Sequence, residues 1–126
     1  MIPVKTDKNT LEKIYNEWVG SLLAYEEHLQ NIDSITAQLQ RSVNDLHYQQ
    51  DLRELRNEIV LQKNIISVLS EEVLQLKKRF NERDEKQVIN LSDLIENNRF
   101  REKIRKAEQS VFMLKYKVNK FLSIAS

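Results

Sequence analysis

Residues 52–80 read LRELRNEIVLQKNIISVLSEEVLQLKKRF. Leu52, Ile59, Ile66, Val73 and Phe80 recur every seven residues, and Leu55, Gln62, Leu69 and Leu76 fall between them. Placing the first set at a and the second at d gives four heptads in which Gln62 is the polar member. Steps of three and four put all nine side chains on one stripe of an α-helix, the pattern of a helix–helix seam.

A second seam follows, with Ile104, Val111 and Val118 at a and Phe100, Ala107, Leu114 and Phe121 at d. The two seams can be used in two ways. In a parallel homodimer the flanking charges would pair Asp51 with Arg56, Glu58 with Lys63 and Glu72 with Lys77. In an antiparallel hairpin turning at residues 86–87, every a layer meets a d layer, and Glu58 faces Lys117, Glu72 faces Lys103 and Arg79 faces Glu96. The other flank of the hairpin is mixed, since Lys63 would attract Glu108 and Arg56 would repel Lys115. Exposed ion pairs are worth only about 0.3–0.5 kcal/mol each, so charge does not choose between them. The hairpin is favoured because its turn falls in 81–91, a polar stretch without heptad pattern, and because an intrachain partner has the higher effective concentration.

Upstream, apolar residues again recur at helical spacing, from Leu11, Ile14, Tyr15 and Trp18 through Leu22, Tyr25, Leu29 and Ile32 to Ile35, Leu39, Val43 and Leu46. Asn9 with Glu12 resembles a capping box, and Asn31–Ser34 favours a break. The expected organisation is an extended tail over 1–8 and a single helical module over 9–126, with helices near 9–31, 34–81 and 92–124, the last capped by Ser92 or Asp93. The fold class is therefore all-α: an elongated antiparallel hairpin or coiled coil with an additional N-terminal helix, within a larger helical assembly. One glycine and one proline in 126 residues leave few of the turns that a β or α/β domain needs.

Chemistry has little to work with. There is no cysteine, and His28 and His47 lack a second histidine at metal-ligand spacing. A single glycine cannot build a phosphate loop. No cofactor, metal, catalytic residue or small-molecule substrate is expected. No stretch approaches the roughly 18–20 apolar residues that span a bilayer, and residues 1–10 lack a signal-peptide core, so the expected setting is intracellular, cytoplasmic or nuclear, without membrane insertion.

Surfaces remain. Val60, Leu61, Ile65 and Val68 lie off the seam, and with Tyr15, Trp18, Leu22, Tyr25 and Leu29 they are the candidate partner interface, although aromatic residues suit a bundle core equally and the two surfaces could instead cover each other in a three-helix bundle. Residues 98–126 carry 8 Lys/Arg against 2 Asp/Glu, a net charge of +6. Arg99, Arg101, Arg105, Lys106, Lys115 and Lys120 form the candidate basic patch, and Phe100, Phe112 and Tyr116 are interleaved with it. The sequence points to a small adaptor or scaffold subunit joining other helical proteins as a homo- or hetero-oligomer. The alternatives are a secretion-type helical chaperone that grips an amphipathic client helix, and a nucleic-acid-binding protein that uses the basic helix.

Overall fold

A computed structural model describes residues 8–83 and 89–125. Three long helices account for nearly all of them: α1 (Lys8–Ser42), α2 (Leu46–Asn81) and α3 (Leu91–Ala125). No strand occurs among the described residues. The tail expected over residues 1–8 and the centre of the turn at 86–87 lie outside the described residues, except that Lys8 already belongs to α1.

The ion pairs fix the relative directions of the helices. Glu58 binds Lys117 at 3.0 Å, Glu72 binds Lys103 at 3.4 Å and Arg79 binds Glu96 at 3.3 Å, so α3 runs antiparallel to α2. On the opposite flank of α2, Arg56 donates to Gln40, Lys63 binds Asp33 at 3.1 Å and the Ser70 hydroxyl donates to Glu26 at 3.2 Å. These three ties step by seven residues along both helices and place α1 antiparallel to α2 as well. The bundle therefore runs up, down and up, with α1 parallel to α3.

The mixed-charge flank imagined for a two-helix hairpin is where α1 inserts. Arg56 and Lys63 turn to Asp33, and Glu108 accepts a hydrogen bond of 2.9 Å from the Tyr25 hydroxyl. The Lys63–Glu108 attraction and the Arg56–Lys115 repulsion are thus replaced by contacts with α1.

The core is one cluster contributed by all three helices. Every seam residue from Leu52 to Phe80 is buried, as are Phe100, Ile104, Ala107, Val111, Leu114 and Val118. Phe121 is half-buried and meets the Tyr48 ring edge-on at 5.6 Å. The seam is thus filled within one chain.

The expected break at Asn31–Ser34 does not occur, and α1 runs straight through it. Ile32 and Thr36 are buried and keep the stripe in phase, while Asn31 and Ser34 face outward and Asp33 pairs with α2. Thr36 tolerates burial because its hydroxyl donates to the Asp33 carbonyl at 2.9 Å. Leu46, which extended the apolar stripe on paper, is 85% exposed.

The chain turns instead at 43–45. Asp45 is the N-cap of α2, with φ −72° and ψ 124°, and its carboxylate accepts from the His47 amide at 2.8 Å. The Gln49 side chain donates to the Gln40 and Val43 carbonyls and so satisfies groups freed at the end of α1. Asn9 is already helical, and the start of α3 is capped by Asn90 rather than by Ser92 or Asp93. The Asn90 side chain accepts from the Asp93 amide at 2.9 Å while Asp93 accepts from the Asn90 amide at 3.0 Å, a reciprocal capping box.

Candidate docking face

Seven residues make almost two turns of helix, so positions seven apart share a side of α2 or α3 with a small drift. The row flanking the α2 seam on the α3 side holds Glu58, Ile65, Glu72 and Arg79, and Leu61 and Val68 stand one row further out. Their counterparts on α3 are Arg99, Lys106, Met113 and Lys120, again seven apart. Between these rows lies a groove, on the side of the bundle away from α1. Its central part is lined by Ile65, Val68, Lys106 and Ser110 over Gln62, Leu69 and Ala107. It continues past Leu61 and Met113 over Leu114 in one direction, and past Gln75 and Arg99 over Phe100 in the other. From Leu61 to Gln75 the groove follows α2 for about 20 Å, or four turns.

The small side chains of Ala107 and Ser110 leave the groove open midway along α3, where α2 presents Ile65 and Val68. Leu61 is 61% exposed and Val68 59%. Gln62, 9% exposed, forms part of the floor rather than a sealed polar layer. Val60 is also exposed, on the outer side of α2 turned toward α1 and outside the groove.

The aromatic half of the expected interface is placed differently. Tyr15, Trp18, Leu22 and Leu29 are buried in the core, so they are not a surface for a partner. Trp18 lies 5.4 Å from the Tyr15 ring and 6.4 Å from Phe100, and Phe80 meets Tyr15 edge-on at 5.4 Å. Burial pushes the Tyr15 phenol upward, partly offset by a hydrogen bond with the buried Asn97 side chain. Tyr25 is half-buried; burial and its bond to the Glu108 carboxylate push its phenol up to about 12.

The basic patch divides as well. Arg105 is paired with Glu102, Arg101 reaches Asn97 at 3.5 Å, and Lys115 leans over the Phe112 ring at 5.9 Å. Phe100 is buried and takes no part in a stacking surface, whereas Phe112 and Tyr116 are exposed on the outer side of α3. Arg99, Lys106 and Lys120 form no ion pair among the described residues, and they are the three cations on the row beside Met113.

A second concavity between α1 and α2 is lined by Leu23, Glu26, Glu27, Gln30, Lys63 and Asn64. Its polar groups are largely committed, Glu26 to Ser70 and Lys63 to Asp33 and Gln30. Among the described residues no group of three or more His, Asp or Glu side chains is placed to hold a metal ion. No described helix is long and apolar enough to cross a membrane. Comparison with protein-family models, with curated proteins and with solved structures finds no match.

Proposed function

We propose that this chain is a non-catalytic assembly module, a coiled-coil-type three-helix bundle that holds another helical protein on the outer face of α2 and α3. One observation carries the reading. The seam is closed within the chain, yet α2 still exposes Leu61, Ile65 and Val68 along a groove floored by seam residues. Contiguous exposed apolar surface on a folded domain marks a place where something binds. A groove between two antiparallel helices is the shape that accepts a further helix by its apolar face. An adaptor or scaffold subunit uses such a face to join chains, and a chaperone would use the same face to hold a client helix.

The test is a photoreactive amino acid placed at position 68, with a control at the exposed, open position 20. In native lysate the position-68 probe should form a discrete crosslink that a second change, Leu61→Glu, abolishes. Equal, diffuse labelling from both positions would refute a docking role for this face.

A further inference from the structure

The assembly reading leaves the occupant of the groove open, and the charge on the groove walls narrows it. On the α2 wall, Leu61, Ile65 and Val68 offer apolar surface. The acidic side chains beside them, Glu58 and Glu72, are already bound by Lys117 and Lys103. On the α3 wall, Arg99, Lys106 and Lys120 fall on one row at intervals of seven and fourteen residues without an ion pair among the described residues, and Met113 holds the place between Lys106 and Lys120. The groove thus offers apolar surface along one side and three cations without an ion pair along the other, with Glu71, Glu72 and Glu96 near Arg99 at one end and Glu102 near Lys106.

We propose that the α2–α3 groove binds an amphipathic helix of another protein whose apolar stripe is bordered by a row of acidic residues at heptad spacing. The apolar stripe packs on Leu61, Ile65, Val68 and Met113. The acidic row meets Arg99, Lys106 and Lys120, which stand about 10 Å and then about 20 Å apart along α3, one and two times the interval of every seventh residue of the ligand helix. A second copy of this chain is a poorer occupant. Face-to-face pairing would bring two positive rows into one interface, while the groove-side acids Glu58 and Glu72 of each copy stay occupied by their own lysines.

This inference rests on the assembly reading and is tested separately from it. The probes are two synthetic amphipathic helical peptides with the same leucine stripe, one bordered by Glu at every seventh position and one by Lys. Binding to the full chain is followed by fluorescence anisotropy, and the contact surface by NMR of the Ile65, Val68 and Met113 methyl groups. The acidic peptide should bind, shift those methyls, and weaken as salt rises. The triple variant Arg99→Glu, Lys106→Glu, Lys120→Glu, all at exposed positions, should weaken the acidic peptide roughly tenfold or more and strengthen the lysine peptide. Equal affinity for the two peptides, or preference for the lysine peptide by the unaltered chain, overturns the proposal. So does a doubled mass in light scattering that is lost in Val68→Asp, which would make the groove a self-interface, or displacement of the acidic peptide by duplex DNA at low salt. If the acidic peptide fails while the position-68 crosslink persists, the occupant is wrong and the assembly role stands; if both fail, both are wrong.

Discussion

Gln62 is the residue at which core and surface meet, since it holds a seam position yet forms part of the groove floor. Its side chain is largely covered and its amide makes no side-chain hydrogen bond among the described residues, so an apolar side chain of similar size would lose no partner there and would gain burial. Gln62→Leu should therefore raise the melting temperature, and an unchanged or lower value would show that the amide is well solvated in the groove. Gly20 offers a cleaner case. It lies inside α1 on an exposed position, and a Cβ added there meets nothing within 4 Å. Gly20→Ala should stabilise the fold by about 0.5–1 kcal/mol, read as a higher urea midpoint at constant slope.

The elements are joined by caps, and the cap of α3 is the one tied most firmly to its neighbour. Asp93 is buried and accepts from Arg83 at 2.7 Å and from the Asn90 amide. The Arg83 guanidinium holds the Asp93 carboxyl below its ordinary 3.8, the amide bond from Asn90 adds to this, and burial opposes it. A depressed carboxyl pKa contributes stability that is complete above the ordinary value and is lost as pH falls through the folded one. The stability advantage of the natural chain over Asp93→Asn should thus be constant at neutral pH and vanish in acid. An advantage that persisted well below pH 3.8 would remove the ion pair as its source.

At this scale the sequence was legible where periodicity speaks. The two seams follow from heptad phase, and the three ion pairs joining α2 to α3 follow from that phase once the polar stretch 81–91 is taken as the turn of a hairpin. The helix break was misplaced because Asn, Asp and Ser favour turns only when no stripe holds them in a helix. Here Ile32 and Thr36 hold it, and a buried threonine is invisible to a search for apolar residues. The apolar spacing slips by one residue across His47–Asp51, and that irregularity marks the boundary better, since α2 begins at Leu46. Tyr15 and Trp18 could be read as core or interface because aromatic side chains serve both, and only the position of α1 against Phe80 and Phe100 decides it.

For the whole molecule, the separation of core from docking face makes a sharp contrast. Val68→Asp alters an exposed side chain, so its denaturation midpoint should stay within about 0.5 kcal/mol of the natural chain while crosslinking through that face is lost. A large fall in stability would mean that the groove wall is part of the core.

The ties between α1 and α2 carry one more implication. Gln40, Asp33 and Glu26 meet Arg56, Lys63 and Ser70 at intervals that repeat every seven residues on both helices. Such a ladder is nearly translation-invariant: slid by one rung, it again sets polar groups against polar groups and apolar against apolar. What singles out the observed alignment is the shortness of the corner at 43–45, locked by Asp45 and Gln49. The corner acts as the zero mark of a ruler whose graduations are otherwise alike. Splicing a long flexible linker into it should leave helicity intact while allowing a population shifted by one rung. Cysteines introduced in this cysteine-free chain at Gln40 and Arg56 should then crosslink less completely than in the short-cornered parent, and undiminished crosslinking would place the alignment in the side chains instead.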